Sequence, residues 1–290
     1  MIPLLTFAFL GLAGLTQAHI AAWHKGMYCL NGTIPGFDNQ NTNDAVNPLF
    51  NLPKSQWWMH HNNKCDEFPP APGDFLELPA GGTFTVEFAG NRGQTTLSFD
   101  GKFTSEWPDG HDHPENFSMP HNGCITSPNL HTTNQSDAAG TVFAISYTSD
   151  LAEVTPENLA VFTVLYHTPW KRIATYEVPA DLPPCPPDGC IAVFGWVPNG
   201  CGIPNMYMHP YRSKVTGSKS NKTVAPAKPP TWCEGTPSTC TKGSKQMVFW
   251  NQADGNNIVT SGWQADGAPK SPGYNMKLGF QNGAQNDIFL

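Results

Sequence analysis

Charged residues are scarce in this chain, and no part of it is strongly basic. Asp, Glu, Lys and Arg make up 13% of the 290 residues, and the formal net charge is −7. A surface that binds nucleic acid, or an anchor for anionic lipids, needs clustered Lys and Arg side chains. Beyond the N-terminal residues, no apolar run approaches the ~20 residues that cross a bilayer. We therefore expect neither nucleic-acid nor membrane partners.

Motifs of several common enzyme classes are also missing. The chain has no Cys-x-x-Cys pair of the kind that binds zinc, no Gly-x-Ser-x-Gly nucleophile elbow and no phosphate-binding loop. No pair of carboxylates stands out as a glycosidase dyad. Amphipathic helix patterns are scarce as well. These absences argue against hydrolase and nucleotide-dependent mechanisms and against a helical fold.

The abundant residues describe a loop-rich β protein. The chain contains 28 Pro, 27 Gly and 9 Trp, and clusters of Pro, Gly and Asn separate short β-rich segments. This pattern predicts an all-β sandwich in which the long loops 39–72 and 107–129 have functional roles. The predicted strands are 83–88, 95–99, 141–147, 160–166, 173–178, 191–197, 206–215, 246–250 and 274–280.

The N-terminal residues 1–18 are typical of a secretory signal peptide. An apolar run ends near Leu15, and Thr16 and Ala18 place small residues at the −3 and −1 positions of a cleavage site, although Lys and Arg are absent from the segment. Cleavage after Ala18 would make the protein secreted and extracellular, with His19 as its first residue. The α-amine and the ring Nδ1 of an N-terminal histidine can chelate one metal ion. An all-nitrogen site completed by a second imidazole suits Cu(II).

The cysteines predict disulfides. All 8 follow Ala18, and an even number in a secreted chain is typical of up to four disulfides. We expect the local pairs Cys185–Cys190 and Cys233–Cys240, with the other four cysteines pairing over long range. Sequons for N-glycosylation begin at Asn31, Asn116, Asn134 and Asn221.

The predicted domain organisation is a signal peptide at 1–18, a core at 19–217 and a C-terminal extension at 218–290. Residues 218–230 resemble a linker, so a small separate domain closed by Cys233 and Cys240 is the alternative. The residues after this linker include few aliphatic side chains, which is marginal for an independent core. We therefore expect the extension to pack on the same domain, and the protein to be a monomer.

The second metal ligand has several candidates among the 10 histidines. The loop pairs His60–His61 and His111/His113 are more typical of solvated histidines than of ligands. His131 lies shortly before a predicted core strand, and a rigid element is what a metal site needs. Asn205 and Tyr207, two positions apart, would project from the same face of a late strand, so that the Tyr207 hydroxyl could lie on the axial side of the metal. A core tyrosine is the alternative for Tyr207.

Seven motifs are distributed over essentially the whole mature chain: HIAAWHKGMYCLNG from residue 19, CITSPNLHT from 124, VTPENL from 154, YHTPW from 166, GWVPNGC from 195, PNMYM from 204 and GAQNDIF from 283. They resemble those of the fungal lytic polysaccharide monooxygenases of auxiliary activity family fourteen. This resemblance implies a distorted immunoglobulin-like (fibronectin-like) sandwich with a copper site called the histidine brace.

Carried onto this chain, the resemblance implies that His19 binds copper through its amine and Nδ1, His131 through Nε2, and Tyr207 axially. Asn205 stands where related families have a Gln that bonds oxygen species, so a supporting role beside the copper is a further prediction. His167 is a weaker candidate for such a role. The alternatives are His121 as the second ligand and Tyr211 as the axial residue.

The implied function is oxidative cleavage of glycosidic bonds in xylan that coats cellulose fibres, during plant cell-wall degradation. The implied partners are one copper ion, an external electron donor, and H₂O₂ or O₂ as co-substrate. Two alternatives stay open at this point. One is a secreted copper-binding protein that does not cleave polysaccharide, and the other is a metal-independent carbohydrate-binding sandwich.

Overall fold

A computed structural model of the chain describes residues 19–119, 123–201 and 204–290. The predicted signal peptide and His121 lie outside these residues. The described strands are β1 (Ala21–Trp23), β2 (Leu76–Pro79), β3 (Thr83–Ala89), β4 (Thr141–Ser146), β5 (Ala160–Leu165), β6 (Ile173–Glu177), β7 (Cys190–Trp196), β8 (Tyr207–Thr216) and β9 (Gly283–Ala284). Helix α1 spans only Lys54–Trp57. Short 3₁₀ turns occupy Asp44–Val46, Trp58–Asn63, Cys65–Glu67, Arg92–Gln94, Phe99–Gly101, Gln135–Asp137, Leu151–Glu153, Pro237–Thr239 and Met276–Leu278.

The strands form two sheets, which confirms the predicted all-β sandwich. One sheet has the order β1-β3-β6, and the other has the order β2-β8-β7-β4-β5-β9. Strands β2 and β8 pair in parallel, whereas the other ladders are antiparallel. None of the helices in the described part of the chain is long and apolar enough to cross a bilayer.

The main core lies between the two sheets and is rich in aromatic rings. Phe84 and Tyr176 of the small sheet stack with ring centroids 5.3 Å apart, and Phe143 of β4 meets Tyr176 edge-on at 5.0 Å. Phe194 of β7 packs against Phe143 at 5.6 Å. Such offset and edge-to-face pairs stabilise a core beyond the area that they bury.

A second apolar cluster covers the outer face of the large sheet. Every residue of β4 is buried, because Phe143 and Ile145 face the first cluster while Val142 and Ala144 face the second. The second cluster includes Met247 from the C-terminal part of the chain. A Cβ on Gly195 of β7 would lie 2.4 Å from the Met247 methyl, so this segment packs closely on the sheet. The domain boundaries drawn from the sequence stay predictions.

A chain of hydrogen bonds between hydroxyl groups joins the two sheets, and we expect its loss to lower the stability of the fold. The Tyr176 hydroxyl of β6 lies 2.6 Å from the Thr141 hydroxyl of β4, which lies 2.6 Å from the Thr168 hydroxyl. Because a buried hydrogen bond contributes about 1–2 kcal/mol, Tyr176→Phe should lower the free energy of unfolding by that amount. Guanidinium unfolding measures it. The control Thr175→Ser, on the exposed face of the same strand, should change stability by less than about 0.5 kcal/mol. Equal stability of the two variants would contradict the prediction.

All four disulfides agree with the expectation from sequence. The local pairs are Cys185–Cys190 and Cys233–Cys240. The long-range pairs are Cys29–Cys65 and Cys124–Cys201, with sequence separations of 36 and 77. The second long-range disulfide ties the loop before His131 to the segment between β7 and β8.

Three predicted strands were wrong, because side chains supply hydrogen-bond partners there in place of a neighbouring strand. In 95–99, the Glu87 carboxylate accepts from the Thr96 amide at 3.1 Å. In 246–250, the Tyr274 hydroxyl accepts from the Val248 amide at 3.1 Å. In 274–280, the Asn275 side chain accepts from the Lys277 amide at 3.0 Å and caps a 3₁₀ turn. The short strands β1, β2 and β9 were not predicted.

Candidate metal centre

Three side chains from distant parts of the sequence meet at one end of the sandwich. His19 lies just before β1, His131 lies in the loop that leads to β4, and Tyr207 is the first residue of β8. His19 Nδ1 is 2.7 Å from the Tyr207 hydroxyl oxygen, which is 3.3 Å from His131 Nε2. The two imidazole rings are nearly parallel, with 16° between their planes and 5.8 Å between their centroids. The structure therefore brings together the three predicted ligands.

One hydrogen bond defines which ring nitrogen of His131 carries the lone pair. His131 Nδ1 lies 2.9 Å from the backbone carbonyl of Cys201. A carbonyl oxygen can only accept, so Nδ1 donates and Nε2 of a neutral His131 keeps its lone pair. Tyr207 has one hydroxyl proton, so it can donate to only one of the two nitrogens at a time. His19 Nδ1 and His131 Nε2 thus converge on a single phenol oxygen.

Burial keeps all three groups uncharged. His19 and His131 are 8% and 6% exposed, and Tyr207 is 4% exposed. Burial, with a smaller contribution from nearby His131, lowers the pKa of His19 to about 4. Burial also lowers the pKa of His131, although its bond to the Cys201 carbonyl opposes this shift. Burial raises the pKa of Tyr207 well above 10. Neutral imidazole is the form that binds metals, so protons compete little for these nitrogens.

Two supporting contacts were not identified from the sequence. The indole of Trp196, at the end of β7, stacks on the Tyr207 ring at 4.4 Å and meets the His131 ring edge-on at 5.6 Å. The second is the Cys201 carbonyl, held in place by the disulfide to Cys124. Both residues belong to the GWVPNGC motif from 195, which was noted for its resemblance but not for a role.

The other sequence candidates occupy different positions. Asn205 is buried, and its side-chain amide lies beside the Tyr207 hydroxyl, where it lowers the pKa that burial raises. Tyr211 is a core residue that donates its hydroxyl proton to the Ala22 carbonyl. His167 is exposed, and its Nδ1 bonds to the Ser136 carbonyl at 3.0 Å. Among the tyrosines proposed as axial residue, Tyr207 is the one that contacts the two histidines.

A second cluster of possible ligands consists of His60, Cys65 and His209, whose ligand atoms lie within 4.8 Å of one another. Cys65 is bonded to Cys29, so its sulfur is not a thiolate and is unsuited to metal binding. His209 Nε2 donates to the Tyr28 carbonyl at 2.6 Å, and its Nδ1 lies 3.4 Å from His60 Nδ1. Burial lowers the pKa of His60 to about 3 and that of His209 to about 4. This pair therefore packs as neutral imidazoles in the interior.

Comparison with known proteins assigns the family. The family model of lytic polysaccharide monooxygenase AA14 matches residues 1–290. The chain belongs to this family. An AA14 family lytic polysaccharide monooxygenase B of Pycnoporus cinnabarinus is 35% identical over 302 residues, covering 100% of this chain and 75% of the relative. The AA14 family lytic polysaccharide monooxygenase B of Talaromyces rugulosus is 35% identical over 283 residues, covering 95% of this chain and 94% of the relative.

As an AA14 monooxygenase, the protein is a copper-dependent oxidoreductase that acts on polysaccharide. The donor set described above fits copper, because imidazole nitrogen is a ligand that copper favours. His19 Nδ1 and His131 Nε2 both lie within 3.3 Å of the Tyr207 hydroxyl oxygen, and carboxylates, the preferred ligands of Mg²⁺ and Ca²⁺, are absent from the described contacts of these residues. When bound, copper supplies the one-electron redox chemistry of the reaction.

Proposed function

We propose that His19, His131 and Tyr207 hold the catalytic copper of this AA14 monooxygenase and that its substrate is xylan on cellulose fibres. The observation that carries the assignment of ligands is the convergence of His19 Nδ1 and His131 Nε2 on the Tyr207 hydroxyl. Cleavage after Ala18 frees the α-amine of His19 as a further nitrogen donor. The protein is secreted and works as a monomer.

The surrounding residues hold the ligands in position. The Cys201 carbonyl keeps the proton of His131 on Nδ1, so that Nε2 faces the metal position. Trp196 covers one face of the Tyr207 ring and fixes its orientation. Asn205 lies beside the Tyr207 hydroxyl, where its amide can donate a hydrogen bond to an oxygen atom near the metal. These contacts pre-organise the site before copper binds.

The proposed co-substrates are an external electron donor and H₂O₂ or O₂. Xylan is the expected polymer because the quoted motifs resemble a family that is associated with xylan-coated cellulose. The scarcity of charge, 13% of residues, suits an uncharged polymer better than an anionic or cationic one. The two relatives described above are named as polysaccharide monooxygenases, which supports the reaction class.

The test of this function is product analysis on defined substrates. The copper-loaded protein is incubated with xylan-coated cellulose, pure cellulose or soluble xylan, with and without ascorbate, and soluble products are identified by mass spectrometry. We expect oxidised xylo-oligosaccharides from the coated fibre only when ascorbate is present, and none after chelation of the copper. Oxidised products from pure cellulose alone would contradict xylan as the substrate. The variant His131→Ala should release no oxidised products.

A further inference from the structure

One tryptophan is exposed in a protein that buries the others wholly or in part. The chain has 9 tryptophans. Five of them are among the fully buried side chains, whereas Trp263 is 69% exposed. Trp58, Trp232 and Trp250 are partly buried against the second cluster. An exposed indole offers a flat aromatic face on which a partner can stack.

The backbone around Trp263 forms a two-stranded hairpin over residues 262–270. Trp263 and Pro269 form an antiparallel bridge. On either side of it, the Lys270 amide donates to the Gly262 carbonyl at 3.0 Å and the Gln264 amide donates to the Ala268 carbonyl at 2.7 Å. Because side chains alternate along a strand, Gln264 points inward and is 8% exposed, while Trp263 points outward. We call residues 262–270 the docking arm.

Side chains of the C-terminal region anchor this arm. Gln264 Nε2 donates to the Pro269 carbonyl at 2.8 Å, and the Lys277 ammonium donates to Gln264 Oε1. The Ala265 amide donates to the Glu234 carboxylate at 3.3 Å. These anchoring contacts are made by Gln264 and Ala265 and do not involve the side chain of Trp263. The outward orientation of the indole is therefore imposed by the hairpin, while the indole itself stays free to bind a partner.

The docking arm is joined to the loop that orients His131. Ser271, the residue after the arm, donates its hydroxyl to the Pro198 carbonyl at 3.2 Å. The Ser271 Cβ lies 3.7 Å from the position that a Cβ on Gly200 would take. Gly200 precedes Cys201, whose carbonyl holds His131. Since residues 269–271 span at most about 7 Å of extended chain, the base of the arm lies beside the loop that carries Cys201.

The chemistry of the arm selects its partner. Its charged residues are Asp266 and Lys270, so its net charge is zero, and its other residues are Gly, Ala, Pro, Gln and Trp. A flat, uncharged aromatic surface matches the apolar face of a pyranose ring. The geometry points to Trp263 as a stacking platform that docks a sugar ring of the polysaccharide whose backbone reaches the metal centre. This inference deepens the proposed function and rests on it.

The binding test uses the copper-loaded protein without reductant, so that no substrate is consumed. Depletion from suspensions of xylan-coated cellulose gives the apparent Kd. We expect Trp263→Ala to raise the Kd about tenfold and Trp263→Phe, which keeps an aromatic face, to raise it by less than about threefold. The control Ile173→Ala removes a side chain that is 51% exposed on the small sheet, and it should bind as wild type does. A binding curve for Trp263→Ala equal to that of wild type would overturn the docking role.

Further measurements separate this inference from the proposed function. If wild type releases oxidised xylo-oligosaccharides and Trp263→Ala binds the fibre normally, the docking role alone is wrong. If wild type releases no oxidised products from any fibre, the proposed function is wrong whatever the binding shows. Sedimentation velocity tests whether the docking arm instead binds a second copy of the chain. A wild-type dimer that becomes monomeric in Trp263→Ala would make the arm a self-association surface and overturn polysaccharide docking.

Discussion

His19→Ala is expected to lower the affinity for Cu(II) by about 1000-fold, which corresponds to about 4 kcal/mol of binding free energy. The variant keeps an α-amine but loses Nδ1, one of the two nitrogens that converge on the Tyr207 hydroxyl. Residue 19 then binds the metal through its α-amine alone and no longer forms a chelate, and His131 is left as the one imidazole ligand. Competition titration against a chelator of known affinity gives the Kd, and electron paramagnetic resonance reports the ligand set.

Controls separate loss of a ligand from loss of the fold. His111→Ala removes an exposed loop histidine and should leave the Kd and the spectrum unchanged. Extra residues before His19 keep the imidazole but acylate the amine, so a protein with an uncleaved leader should also bind weakly. Nitrogen hyperfine coupling should be present in wild type and altered in His19→Ala. A Kd for His19→Ala within tenfold of wild type would exclude His19 as a ligand.

Removal of the Cys124–Cys201 disulfide should affect both stability and copper binding. The disulfide closes a segment with a sequence separation of 77. Loop entropy for this length predicts a loss of about 4 kcal/mol in the free energy of unfolding for Cys124→Ser/Cys201→Ser. Because the Cys201 carbonyl holds the Nδ1 proton of His131, its displacement should also weaken copper binding by about 10- to 100-fold. Chemical unfolding and copper titration measure the two effects.

The chain offers a matched control for this disulfide. Cys233–Cys240 has a sequence separation of 7, and its removal should cost only about 2 kcal/mol. It lies in the C-terminal region, and the backbone atoms that contact His131 are elsewhere. Cys233→Ser/Cys240→Ser should therefore bind copper as wild type does. Equal copper affinities in the two double variants would show that the Cys124–Cys201 disulfide does not position His131.

The candidate site could be predicted from sequence to different degrees for each residue. His19 was predicted from its place after a segment that is typical of a signal peptide, which is a local pattern. His131 and Tyr207 were selected by their places near predicted strands and by resemblance, and alternatives stayed open. The structure brings these two to His19 across sequence separations of up to 188 positions. Which tyrosine reaches the histidines depends on the register of β8, since Tyr211 on the same strand points to the Ala22 carbonyl instead.

By itself, the sequence determined the all-β class, six of the nine described strands and the local disulfides, because each of these depends on residues that are close along the chain. The tertiary structure decided the properties that depend on distant partners. It paired Cys124 with Cys201, and through the Cys201 carbonyl it selected the nitrogen of His131 that keeps a lone pair. In the folded protein, the strand-like segment 246–250 packs on the large sheet without pairing as a strand. The Tyr274 hydroxyl accepts a hydrogen bond from the Val248 amide, which would otherwise bond to a neighbouring strand. Hydrogen-bond partners and packing neighbours of this kind are defined only when the whole chain has folded.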